Sequence, residues 1–176
     1  LFFESVRSQA ETGNELSALE SFLQDTTQVV VDIYSRYLFE SALFERRKDH
    51  ECSPEELNEL MLDAQSKAYG PVLDREKRHP YMWAVKGHYY NQDLGFYNFP
   101  YAFGLLFGLG LFQRYQQSPE NFFSTYNQLL VMTGRAPAEA VAEAAGFDIT
   151  KQNFWMQGIG TIEDAVRRYE ALSKKG

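Results

Sequence analysis

Apolar residues recur at intervals of three and four along most of this chain. From Gln24 to Arg47 they are Val29, Val30, Ile33, Tyr34, Tyr37, Leu38, Leu43 and Phe44, with no proline or glycine between them. That period predicts a long helix with one wide apolar face. The run Val29-Val30-Val31 is β-branched but lies inside the same period, so it reads as helix. Ahead of it, Leu1 to Glu11 predicts a helix stopped at Gly13-Asn14. Glu15 to Leu23 begins another that can run into the long one.

The later helices carry start and stop signals. In Ser53-Pro54-Glu55-Glu56 the serine can cap, proline suits the first helical position, and Glu56 closes a capping box. That helix carries Leu57, Leu60, Met61, Ala64 and Ala68 and stops at Gly70-Pro71. Ser118-Pro119-Glu120 repeats the signal for a helix with Phe122, Phe123, Tyr126, Leu129 and Leu130 that ends by Gly134. Ala138 to Ala145 is short and stops at Gly146. Thr161, with Asp164 at the box position, predicts the start of a last helix that turns Ala165, Val166, Tyr169 and Leu172 inward. No strand pattern, internal repeat or linker interrupts the series. The reading is an all-α helical bundle, residues 1–176 forming one unit.

Leu94 to Gln113 contains no charged residue, and Gly104 and Gly108 have the spacing of a membrane helix-dimer motif. Asn98, Pro100, the many aromatics and the lack of a flanking basic cluster argue against a membrane span. The segment is expected to be a helix buried all round, its glycines letting neighbouring backbones come close.

Composition narrows the function classes. The 176 residues are 44% hydrophobic and 23% charged, which excludes a disordered chain. Seventeen basic against 24 acidic residues give a net charge of −7, with no basic patch, so nucleic acid is not an expected partner. Cys52 is the single cysteine and cannot form an internal disulfide. With no signal peptide visible, the expectation is a cytoplasmic protein. The opening Leu1 reads as the start of a fragment.

Candidate chemistry is concentrated in one stretch. His50, His79 and His88 form no H-E-x-x-H, and His50-Glu51-Cys52 reads as a solvated turn rather than a metal site. His79, before Pro80, reads as an exposed loop residue. Gly87 to Gly104, GHYYNQDLGFYNFPYAFG, is different, placing Tyr89, Tyr90, Tyr97 and Tyr101 within 13 positions of His88. Phenol and imidazole donors can stabilise a developing oxyanion. The same residues also suit an aromatic core with hydroxyls at its rim.

These residues carry a resemblance. His88-Tyr89-Tyr90, Phe96-Tyr97, and Tyr101-Ala102-Phe103-Gly104 leading into a glycine-rich apolar helix resemble the oligoendopeptidase F and thimet oligopeptidase family of zinc metallopeptidases. The part resembled is the C-terminal portion of the catalytic domain. The Ser53-Pro54-Glu55-Glu56-Leu57 helix, its exit Tyr69-Gly70-Pro71, and the Gly146-Phe147-Asp148 turn fit as well. The resemblance implies a larger helical zincin-like domain that hydrolyses short peptides. Its zinc would be held by an H-E-x-x-H helix and a later glutamate, all absent here, with Glu4 a poor substitute. The fragment itself is then expected to hold no zinc and cleave no peptide. Its partners would be peptide substrate, the N-terminal remainder of the same polypeptide, and a second copy through surface exposed by truncation. The resemblance further implies that His88, Tyr97 and Tyr101 act on the tetrahedral intermediate. His88, Tyr89, Tyr90 and Tyr97 would contact substrate. Phe99 stands where the bacterial branch often has tyrosine, which leaves the oxyanion donor open between Tyr97 and Tyr101. The competing reading is a noncatalytic helical interaction module or a degenerate relative.

Overall fold

The computed structural model describes residues 12–174 and is all-α, with no strand among these residues. Its elements are α1 (Thr12–Thr27), a π-helical turn (Gln28–Asp32), α2 (Ile33–Arg46), α3 (Pro54–Tyr69), α4 (Phe99–Gln117), α5 (Pro119–Met132), α6 (Ala138–Ala144) and α7 (Gln152–Ser173). Short 3-10 turns, Gly70–Val72, Arg75–Lys77, Met82–Val85 and Gly87–Tyr90, fill the connection from α3 to α4. The chain divides into a continuous unit, Gln24–Phe103, and a split unit made of the chain up to Leu23 and from Gly104 onward. Both divisions fall inside helices, which is why no linker composition marks them. The expected helix over Leu1 to Glu11 lies outside the described residues. Gly13 and Asn14, expected to lie between helices, are inside α1.

In the continuous unit, α2 packs on α3 around Phe39, Met61 and Ala64, flanked by Leu43, Leu57, Trp83 and Tyr89. The expected apolar face of the long helix needs correction. Ile33, Arg36, Phe39 and Glu40 are buried on α2, while Tyr34, Tyr37 and Phe44 are exposed. The π turn over Val29–Val31 inserts an extra residue into the helical repeat and rotates the face that follows.

The start of α3 is as expected. Ser53 Oγ accepts the Glu56 N–H at 3.3 Å, and the Ser53 N–H donates to Glu56 Oε2 at 2.9 Å. Glu56 Oε1 also meets Arg46 Nη1 at 3.1 Å and His50 Nε2 at 2.8 Å. The Ser53 amide bond, then His50, hold the Glu56 carboxyl down at about 2, from 4.5. A carboxyl lowered in the folded state contributes stability above its unfolded pKa that is lost as pH falls through the folded one. The first turn of α3 is therefore expected to loosen between about pH 4.5 and 2, seen as smaller amide protection factors at Ser53 and Glu56. Ser53→Ala is expected to cost about 1 kcal/mol of unfolding free energy. At the other end Gly70 has φ +61°, a conformation that glycine adopts without a Cβ clash.

In the split unit, α1 meets α7 through Leu19, Ala165 and Leu172, beside a bidentate pair of Glu15 with Arg168 at 2.9 and 3.1 Å. Leu129, Val141 and Ala145 form a second cluster with Phe107, Leu111 and Phe147. Val166, expected inside, is exposed, as are Phe123 and Leu130 of α5. Ser118 makes no side-chain cap bond, so α5 starts on Pro119 alone. The expected start of α7 at Thr161 is wrong by about nine residues, because the helix begins at Gln152. Gly158 sits inside α7, where a Cβ would lie 3.1 Å from the Leu106 carbonyl oxygen. Thr161 Oγ1 instead accepts from Gln113 Nε2 at 3.2 Å.

The apolar segment Leu94 to Gln113 also departs from expectation. Its helix begins at Phe99, and Gly110 is the one α4 residue that is buried; Phe99, Tyr101, Gly104 and Gly108 are exposed. Close approach occurs at Gly110, against the Phe154 ring, rather than at Gly104 or Gly108, where an added Cβ would meet nothing. Among the described residues no helix is long and apolar enough to cross a membrane.

Candidate functional site

His88, Tyr97 and Tyr101 come together in the continuous unit. His88 lies on the 3-10 turn Gly87–Tyr90, Tyr97 on the loop that follows, and Tyr101 on the first turn of α4. The Tyr97 ring stacks on the His88 imidazole, with centroids 5.8 Å apart and planes 16° apart. Tyr101 stands edge-on to both, 6.1 Å from His88 and 6.2 Å from Tyr97. Its hydroxyl is 3.4 Å from His88 Nε2, long for a hydrogen bond between oxygen and nitrogen. Tyr97 is 41% exposed and Tyr101 45%, so both phenols are open to solvent.

The other sequence candidates lie apart from this trio. Tyr89 turns inward, its ring 5.1 Å from Phe39 and its hydroxyl buried without a hydrogen-bond partner among the described residues. Burial pushes that phenol's pKa upward; nearby Arg36 opposes the shift, and Glu40 and Asp32 add to it. Tyr90 is exposed and lines an open cleft of about 260 Å³ with Arg47, Glu51, Cys52 and Trp83. Phe99 is exposed. His50 sits on the α3 cap, as the solvated-turn reading implied, and His79 is an exposed loop residue whose backbone is clamped by Gln65 at 2.9 and 3.1 Å. Glu4 lies outside the described residues.

Behind the loop runs a polar cluster that the sequence reading missed. Asp32, Arg36 and Glu40 follow one another at four-residue spacing, so they share one face of the helix. Asp32 pairs with Arg36 and accepts the Tyr69 hydroxyl at 3.0 Å; burial, then the Asp32 charge, push that phenol up to about 12. Arg36 Nη1 donates to Asn98 Oδ1 at 3.4 Å, and Glu40 Oε1 accepts the Phe96 N–H at 2.7 Å. Arg36 Nε, Glu40 Oε2 and Asn98 Nδ2 are buried without a hydrogen-bond partner among the described residues. Alternating charges at i, i+4 within an apolar helical stretch were the available signal.

The zinc that the resemblance implies does not fit these donors. His88 faces two phenols, and among the described residues no three His, Cys, Asp or Glu side chains come together to hold a metal ion. What the trio presents is a set of hydrogen-bond donors without formal negative charge, suited to an oxygen that carries or gains negative charge. Compared with protein-family models, curated proteins and solved structures, the chain gives no match.

Proposed function

We propose that the continuous unit binds short peptides and supplies the oxyanion-stabilising donors for hydrolysis of their amide bonds, within a zinc-dependent oligopeptidase. The observation that carries this reading is the mutual contact of His88, Tyr97 and Tyr101 on a solvent-open surface. A peptide carbonyl oxygen entering between the phenols exchanges the long Tyr101–His88 contact for a hydrogen bond from the Tyr101 hydroxyl. As the carbonyl carbon becomes tetrahedral, the oxygen gains charge and that bond strengthens, which is the differential that catalysis requires. The imidazole, held by the stacked Tyr97 ring, directs an N–H at the peptide backbone. Activation of the attacking water and the zinc itself belong to residues outside this set.

A second reading, a noncatalytic helical module, draws support from the exposed rings of Tyr34, Tyr37 and Phe44, Tyr34 stacked on Tyr37 at 6.5 Å and the other two joined through Phe96 at 6.0 and 5.1 Å. Titration with a phosphinic peptide, whose tetrahedral anion resembles the hydrolytic intermediate, separates the two. The His88 and Tyr101 ring resonances are expected to shift in NMR spectra, and Tyr97→Phe with Tyr101→Phe to abolish the response. If neither ring responds, the trio is aromatic packing with hydroxyls at its rim, and the module reading stands.

A further inference from the structure

We infer that Glu40 is a positioning residue for Tyr97, a buried carboxylate on α2 that pins the strained backbone of Phe96 and so sets the Tyr97 ring on His88. Among the described residues, Phe96 is the only one other than glycine with positive φ, at +54°. A bulky side chain in that left-handed region is an outlier that persists only where surrounding contacts impose it. Phe96 has such contacts. Its N–H donates to Glu40 Oε1 at 2.7 Å, and its ring lies against Tyr37 and Phe44. Two residues later, Asn98 is 1% exposed and accepts from Arg36. Tyr97 is thus the open residue between two neighbours that are both tied to α2, one through Glu40 and one through Arg36.

The chemistry of Glu40 favours this role over plain packing. It is 5% exposed, and one of its two oxygens has no hydrogen-bond partner among the described residues. A carboxylate so enclosed costs stability that an apolar side chain of similar size would not. What it does that leucine cannot is accept the Phe96 amide. Directly after the left-handed backbone of Phe96, the Tyr97 ring lies on the imidazole and stays open to solvent. Glu40 touches no substrate; it acts through Tyr97, and its functional consequence rests on the peptide-binding reading above.

The test uses the whole chain and reads position first. In the unsubstituted protein the Phe96 amide is expected to exchange at least about 100-fold more slowly than in an unstructured peptide. Exchange at the unstructured rate overturns the inference without any variant. Glu40→Ala is expected to erase the nuclear Overhauser contacts between the His88 and Tyr97 rings while the Phe39–Tyr89 contacts and the helical circular dichroism persist. Glu40→Gln, which keeps an acceptor oxygen, is expected to retain them. Affinity for the phosphinic peptide should then fall at least about tenfold in the alanine variant and stay within about twofold in the glutamine variant. Ring contacts that survive in a folded Glu40→Ala protein overturn the inference. If that variant does not fold, Phe96 exchange in the unsubstituted and glutamine proteins decides, slow in both supporting the role and fast in either opposing it. Ring contacts that follow Glu40 while no peptide binds leave the positioning role standing and remove the peptide reading.

Discussion

Tyr101→Phe is expected to lower kcat for peptide hydrolysis by about 10²–10³-fold in the hydrolytically competent protein, with KM changed little. The substitution deletes one hydroxyl and keeps the ring that stands 6.1 Å from His88 and 6.2 Å from Tyr97. Ground-state packing is therefore retained, and only a bond that strengthens at the transition state is lost. Tyr97→Phe apportions the role between the phenols, because its ring stack on His88 also survives. His88→Ala should lower kcat/KM while removing both ring contacts. Near-unchanged kcat in both tyrosine variants would end the oxyanion assignment and return the trio to aromatic packing.

The second large effect lies in the split unit, at the crossing of α4 and α7. Gly110→Ala would place a Cβ 2.8 Å from Phe154 Cε2 and 3.0 Å from Cζ. That ring is buried and wedged against Phe107, Phe147 and Trp155, so it cannot swing aside cheaply. Overpacking costs about 1–3 kcal/mol. Replacing a helical glycine returns about 1 kcal/mol through backbone entropy. The balance is a net loss at Gly110, whereas at Gly104 and Gly108 the Cβ is free and alanine should stabilise by up to about 1 kcal/mol. Phe154→Ala alone is expected to cost about 3–5 kcal/mol. In that background the Gly110→Ala penalty should reverse sign, since the two residues share one contact. Urea unfolding of the unsubstituted protein, the two single variants and the double variant measures this. A Gly110 penalty that persists without the Phe154 ring would show that the strain comes from elsewhere.

Much of the fold was legible because it depends on local chemistry. Ser53 and Glu56 cap a helix wherever they stand at this spacing, and Gly70, Gly134 and Gly146 end helices because their backbones take positive φ. The trio was legible for another reason: a 3-10 turn and a short loop bring residues 9 and 13 positions apart onto one surface. What was not legible depends on partners distant in the chain. Nothing near Gly158 announces that Leu106 will press against it, so the part of α7 ahead of Thr161 was not read as helix. Tyr34 and Tyr37 were scored as apolar and Arg36 and Glu40 as polar, yet the pairings of Arg36 with Asp32 and of Glu40 with Phe96 reverse which pair is buried.

The pairing of Glu15 with Arg168 has a consequence for synthesis on the ribosome. The two residues lie 153 positions apart, and the residues between them include the whole continuous unit. A chain made at about 5–20 residues per second delivers that unit, and leaves it free to fold, several seconds before Arg168 emerges. Through that interval the inner face of α1, Leu16, Leu19 and Leu23, has no α7 to cover it. That face leaves the exit tunnel well before α7 and waits longest for its cover, and so is a segment at which a nascent-chain chaperone would engage.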